Sequence, residues 1–541
     1  MTLPAARRAV RVVGERALLV ECASLQDVMA VHAALRAAPR AGQTDVLAAA
    51  ATVLVRTSDP LATARLAAEL ADMSLPAPPR RGDDDLDRAT GACRPDGTDE
   101  TVVIDTVYDG EDLARVAELT GLSVGAVVRR HSSTVWTAAF AGFAPGFAYL
   151  VADGSGLEVP RRAEPRTVVP AGAVALAAGF SAVYPRASPG GWQLIGRTAA
   201  RMWQLDRERP ALVAPGGTVR FRIARDSLVL TRRGTVREAV DPPRPDVQTR
   251  SGAGLAVLAT GAQSLVQDLG RPGYLDLGVS PSGAADRAAA RGANRLVGSP
   301  RDAAVVETVL GGLMLRADGD QVVAVTGAPT PLTVREASTG RLRDQPFATP
   351  FVLRSGDVLE LGAPPWGLRS YVGVRGGIDV PPVLGSRSTD VLSGIGPDPL
   401  LTGTVLPVGD PHRATTVGHP EPLLDHPAGP VTVQVVEGPR ADWFTPVELH
   451  RLFTQEWLVT ARSNRVGLRL AGEPMHRTVV RELPTEGMVV GAVQVPESGQ
   501  PVVFLPDHPV TGGYPVVAVV RDRHLDRLGQ LRPGDRLRFT R

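Results

Sequence analysis

The chain has 541 residues, 43% of them apolar, with 59 arginines and lysines against 57 acidic residues. That length exceeds what one hydrophobic core serves, so three or four domains are expected. The near balance of charge, +2, excludes the broad basic footprint of a nucleic-acid or anionic-lipid binder. Lysine is absent, so all 59 cations are arginine. There is then no amine for a Walker-type phosphate contact, a Schiff base or biotin attachment, and any anion gripped by a side-chain cation is gripped by arginine. Two cysteines, Cys22 and Cys93, are too few for a disulfide framework or a thiolate metal site and predict a cytoplasmic protein. The histidines show no metal-ligand spacing, and no metal site is expected.

Residues 1–80 alternate strand-like runs (ALLVEC, 17–22; AATVLVR, 50–56) with alanine-rich helical stretches (LQDVMAVHAALRAA and LATARLAAELADM). They predict a small α+β domain. A proline-rich, charged stretch (75–100) and a second (237–254) read as linkers. Between and after them lie short β-type runs punctuated by Gly and Pro, as in barrels or sandwiches. The expected modules are 99–235, 255–425 and 430–541. Three similar stretches, PGGTVRFRI (215–223), SGDVLELG (355–362) and PGDRLRFTR (533–541), each give a glycine turn followed by an alternating strand and suggest three similar modules.

Within 132–152, an uncharged run broken by Gly142, Pro145 and Gly146, lies GFAPGFAYL (142–150). Pro145 and Gly146 occupy the central positions of a type II turn. Five of the chain's 23 aromatics, Trp136, Phe140, Phe143, Phe147 and Tyr149, fall in 14 residues there. An aromatic wall beside a fixed bend suits a ligand pocket. Downstream, VPRRAEPRTVVPAG (159–172) and VYPRASPGGWQLIGR (183–197) place Arg161, Arg166, Arg186 and Arg197 on loops stiffened by prolines, Pro170 among them, and by the Gly190-Gly191-Trp192 turn. Guanidinium forks on rigid loops suit carboxylate or phosphate.

In the third region, QDLGRPGYLDLGVSPSGAADRAAARGANRLVG (267–298), Ser282 can cap a helix ending at Val297, with Asp286 near its first turn and Gly298 as its stop. Arg287, Arg291 and Arg295 share one helix face, and the helix start is an anion seat. In the last module Asp507 and His508 adjoin the TGGYP loop (511–515), where adjacent side chains on a strand would point to opposite faces.

Together these motifs resemble the allophanate hydrolase subunit 1 and subunit 2 families, here fused; those families include the B and C subunits of 5-oxoprolinase and the carboxyltransferase part of urea carboxylase. The resemblance implies a mainly β protein with α+β character: a small N-terminal α+β domain followed by three cyclophilin-like β-barrel modules. It implies ATP-dependent opening of 5-oxoproline to glutamate together with a separate protein like the 5-oxoprolinase A subunit, ATP and Mg being co-substrate and no biotin being attached covalently. Two other activities within this resemblance are a carboxyltransferase acting on urea or a similar amide with carboxybiotin on another chain, and a kinase-inhibitor-type regulator. The catalytic candidates are Asp507, His508 and Arg166. The substrate- or nucleotide-binding candidates are Phe143, Pro145, Gly146, Tyr149, Arg161, Pro170, Gly190, Gly191, Trp192, Arg197, Gln267, Asp268, Arg271, Ser282, Asp286, Asn294, Arg465, Gln494, Thr511, Gly512 and Tyr514. No nucleic-acid or membrane partner is expected, and a homo-oligomer is left open.

Overall fold

The computed structural model describes residues 8–73, 101–225, 254–422 and 429–541, so the expected linkers and Cys93 fall outside the described residues but for Gly254. At the N-terminus, helices Leu25–Ala37 and Pro60–Ala71 start where Ser24 and Asp59 accept the amides of Asp27 and Ala62. These caps satisfy otherwise orphaned donors, and Pro60 presets the first helical φ. The helices cover one face of a four-stranded antiparallel sheet made from Val10–Val12, Ala17–Glu21, Thr52–Thr57 and Gln43–Ala48. The run Ala17-Leu18-Leu19-Val20 is apolar at every position because both sheet faces are covered. Leu18 and Val20 pack with the helices and with Phe140, Phe147 and Trp192, while Ala17 and Leu19 pack against Met488, Val489 and Phe504 far along the chain.

The next module is a seven-stranded sheet running from Val102–Thr106 at one edge to Gln193–Arg197 at the other. Reciprocal backbone bonds between Val107 and Arg197 (2.9 and 2.8 Å) bring the edges together, so the sheet curls into a near-closed barrel. The central module divides its strands into a six-stranded and a five-stranded sheet, with helix Arg287–Val297 against strands Gln321–Gly327 and Arg369–Val374. Strands between Val431 and Thr540 form a closed seven-stranded barrel. The protein is mainly β, with a small α+β domain before its barrel modules, in agreement with the expected fold class.

The three glycine-turn strands do not occupy equivalent positions. Thr218–Ile223 runs parallel to the first strand of its module and antiparallel to Val135–Ala141. Arg536–Thr540 repeats that arrangement with Val431–Glu437 and Trp457–Val459. The central Val358–Leu361 is instead antiparallel to both its neighbours. A turn followed by an alternating strand encodes a local element; its pairing partners are decided by the rest of the module.

Candidate functional site

The aromatic stretch at 142–150 forms the expected bend. Phe147 N–H donates to Ala144 O at 3.0 Å, and Gly146 has φ 77°. Phe143 also has a positive φ, 64°, and stays 38% exposed while Phe147, Tyr149 and Trp192 are buried beneath it. The rings make edge-to-face contacts, Phe143 to Phe147 at 5.2 Å and Phe147 to Trp192 at 5.5 Å, and Tyr149 stacks on Phe140 at 4.3 Å. Most of the cluster is therefore core, and Phe143 is the ring left facing outward.

This bend is locked against the second half of the chain. Phe143 N–H donates to Thr511 Oγ1 at 3.2 Å, and Gly146 N–H donates to Leu277 O at 3.2 Å. Pro145 and Ala144 press on Gly278, where a Cβ would lie 2.6 Å from Ala144 O, so only glycine fits. Gln494 holds the Thr511 loop by donating to Tyr514 O at 3.1 Å, and Gly512 leaves room for that amide. Tyr514 is 42% exposed beside it.

Behind the seam lies a buried ionic network. Arg465, 2% exposed, donates to both Asp507 oxygens (2.9 and 3.1 Å), to Gly283 O (2.6 Å) and to Glu307. Asp507 also accepts from Ser282 Oγ at 2.6 Å and Val391 N at 3.1 Å. Glu307 accepts from Tyr371 Oη and Ala285 N. Burial alone would push the Glu307 carboxyl up, but Arg465 and Arg369 hold it below the usual carboxylate range. Asp507 is thus fully occupied as a positioning group. Two expectations are corrected here. Asp507 and His508 sit in a turn, not on a strand, and both are buried, since the chain bends after Phe504 to meet Arg465. Asp286, not Ser282, caps the helix Arg287–Val297 through Ala289 N at 2.8 Å, because Ser282 is drawn to Asp507.

His508 Nδ1 faces Pro509 O at 2.8 Å; a carbonyl only accepts, so Nδ1 carries the proton and the lone pair is on Nε2. Nε2 is buried without a partner among the described residues, and burial pushes the imidazole down to about 4. Arg271 is 1% exposed; its Nη2 donates to Ser388 O, while Nε and Nη1 are buried with no partner among the described residues. Arg186 Nε likewise has no partner among the described residues. Desolvation disfavours both guanidiniums, and the charge of Asp390 favours both. Asp390 accepts from Ser280 Oγ (2.8 Å) and Ser393 N (2.9 Å), and burial beside Asp507 raises its carboxyl. Leaving buried guanidinium donors unmade costs stability, and these two, on opposite halves of the chain, both lie within the field of Asp390.

The remaining candidates lie elsewhere or serve the frame. Arg166, expected to be catalytic, is tied to Glu111 and Asp112 at 3.0 and 2.9 Å because Asp112, fixed by Leu194 N, also draws Arg162. Arg161 pairs with Glu482 and Arg197 with Asp109 at the surface. Gly190 pairs with Arg166 across a two-stranded ribbon, Gly191 O accepts from Arg162 N, and Pro170 O accepts from Ala173 N. Asp268 organises Gly270, Ser386, Arg387 and Ser388; Gln267 donates to Thr389 O, and Asn294 to Ala303 O. Asp390 was missed, although its Asp-Val-Leu-Ser-Gly stretch (390–394) is an Asx-turn signal, and Glu307 carries no local signal at all.

Two halves, each a barrel-bearing unit, meeting at a polar seam define a carboxyltransferase-type architecture. The chain matches the family described as carboxyltransferase domain, subdomain C and D, over residues 8–213 and subdomain A and B over 277–541, and it belongs to that family. It is 36% identical to the C subunit of 5-oxoprolinase from Escherichia coli K12 over 293 residues, spanning 90% of that protein. It is 48% identical to the B subunit of 5-oxoprolinase from Escherichia coli O157:H7 over 123 residues, 22% of this chain and 56% of that protein. It is also 32% identical to urea amidolyase of Lachancea kluyveri over 52% of this chain, spanning only 17% of that protein. The crystal structure of TTHA0988 superposes with TM-score 0.79 at 31% identity, covering 98% of this chain and all of that one. The chain is homologous to the B and C subunits of 5-oxoprolinase and to the carboxyltransferase portion of urea amidolyase.

Proposed function

We propose that this chain serves as the fused B and C subunits of an ATP-dependent 5-oxoprolinase that works with a separate A subunit. The observation that carries the reading is the likeness of one chain to both proteins, the C subunit over 53% of its length and the B subunit over 22%. The chemistry suits the seam. A lactam carbonyl is a weak electrophile; transfer of the ATP γ-phosphoryl group, with Mg accompanying the nucleotide, to the lactam oxygen releases ADP and activates the ring carbon. One water adds to that carbon and the ring C–N bond breaks, the nitrogen taking a proton and leaving an acyl phosphate; a second water releases phosphate and glutamate. Arg271 and Arg186 are suited to hold the substrate carboxylate or the developing phosphoryl charge, Phe143 to flank the ring, and His508 Nε2 to accept a proton.

Carboxyl transfer to a urea-type amide is the second reading, favoured by the identity to urea amidolyase. Without lysine the chain would take carboxybiotin from another polypeptide. The test mixes the purified chain with a 5-oxoprolinase A subunit, ATP and 5-oxoproline and measures glutamate and phosphate. Stoichiometric release of both is expected. Silence there, with urea-dependent turnover on adding a biotinylated carboxylase, would replace the first reading with the second.

A further inference from the structure

A cavity of about 250 Å³ opens where three parts of the fold meet: the Val13–Ala17 corner and Arg56 of the N-terminal sheet, the start of helix Arg287–Val297, and the final barrel around Val489, Val519 and Leu525. Its charged lining is Glu15, Arg16, Arg56, Arg287, Arg291, Asp522 and Asp526. Two of the acids are already satisfied: Asp522 pairs with Arg16, and Glu15 with Arg521 at 2.7 Å. Asp526 accepts the backbone amide of Arg287 at 2.8 Å. Among the described residues the guanidiniums of Arg56, Arg287 and Arg291 have neither hydrogen bond nor ion pair. Setting the paired charges aside leaves three guanidiniums against Asp526 in the lining, a surplus of two positive charges. Asp45, on the strand beside Arg56, also carries a charge that favours that guanidinium and brings the surplus down toward one.

Holding like charges together in a partly desolvated cavity is unfavourable unless something shares them. Burial together with the charges of Arg56 and Arg291 disfavours the charged form of Arg287. The wall also includes Ala284 and Ala285 just before the helix, whose first amides are already taken by Asp286 and Asp526. We propose that this cavity is a second anion site, distinct from the Arg271 seam, which takes the dianionic phosphoryl group of a small ligand. Three guanidiniums without an ion pair exceed what Asp526 and Asp45 offset, and their forks match tetrahedral phosphoryl oxygens. The volume lies below the range that takes drug-sized ligands, which fits free phosphate or a short phosphomonoester. The cavity wall at Pro281 and Pro506 is one residue from Ser282 and Asp507, which bond at 2.6 Å, so occupancy would press on the same frame that fixes the seam.

The assignment rests on the cavity's charges and not on the turnover reading, so the test uses the purified full chain alone. Isothermal titration calorimetry with inorganic phosphate is run beside a short phosphomonoester, L-glutamate and chloride. Saturable phosphate binding is expected, weakened about ten-fold or more in Arg291→Gln and in Arg56→Gln and retained in Arg271→Gln. Tighter binding of the monoester than of phosphate assigns an organic ligand; equal or weaker binding assigns free phosphate. Arg291 is partly exposed on the helix, so its variant folds even if Arg56→Gln does not. No saturable phosphate binding, equal binding of glutamate, or loss in Arg271→Gln with retention in Arg291→Gln would overturn the proposal.

Discussion

In the first barrel, helix Val124–Ser133 passes the chain to strand Val135–Ala141, and the buried Trp136 indole donates to His131 O at 3.1 Å. In the last barrel, helix Pro446–Thr454 passes it to Trp457–Val459, and the Trp457 indole donates to Leu452 O at 3.2 Å, again five residues back. Both barrels then close with a strand parallel to their first. The plan is shared, and its filling differs. At the position five residues before the tryptophan the first barrel buries His131, bonded to Tyr108 Oη (2.7 Å) and Ser181 Oγ (2.8 Å), where the last buries an apolar leucine. The loops after the two tryptophan strands also diverge: one presents Phe143 to the seam, the other sends Arg465 into the buried network. One scaffold thus supplies an exposed contact surface on one side and a rigid frame on the other.

Substitutions sharpen that contrast. Arg465→Met leaves the Asp507 and Glu307 carboxylates without their shared guanidinium and is expected to cost about 3–5 kcal/mol in chemical denaturation, the largest effect here. Phe143→Ala, in the matching loop, should change stability by less than about 1 kcal/mol while lowering turnover; equal losses in both loops would erase the distinction between contact and frame. His131→Leu copies the last barrel's choice. It should cost about 1–3 kcal/mol at neutral pH, because the buried Ser181 and Tyr108 hydroxyls lose their partner.

The same substitution carries a pH signature. Burial lowers His131 to about 3 in the native protein, against about 6.5 in an unfolded chain. Below about pH 6.5 the unfolded chain binds a proton that the native one refuses, so stability falls as pH falls through that value and on toward 3. In His131→Leu the acid-side fall should be shallower, and an unchanged slope measured by denaturation across pH 7 to 4 would mean that His131 titrates freely. Thr511→Val, which removes the acceptor for Phe143 N–H, should cost about 1 kcal/mol or less, no more than Phe143→Ala.

Elements with local signatures were legible in the sequence: the capped helices, the Pro145-Gly146 bend and the Gly298 stop. The family was legible because its longest motifs sit in those bends. Which arginines are free was not, since Arg166 and Arg271 both follow or precede prolines and differ only in what the fold brings to them. Asp112 and Glu111 bind the first, which keeps one buried nitrogen without a partner; the second keeps two and bonds only a backbone carbonyl, among the described residues. Ser282 looked like a helix cap because its contact with Asp507 spans more than two hundred residues and leaves no local trace.

Under the proposed function, Arg271 is the buried, underbonded guanidinium that receives the anion. Arg271→Met should cost some stability, since Asp390, Asp268 and Asp507 lose a nearby positive charge, while kcat/KM for 5-oxoproline in the presence of the A subunit falls about 100-fold or more, well beyond what that loss explains. Turnover that survives the substitution, or that falls only in step with stability, would contradict that role.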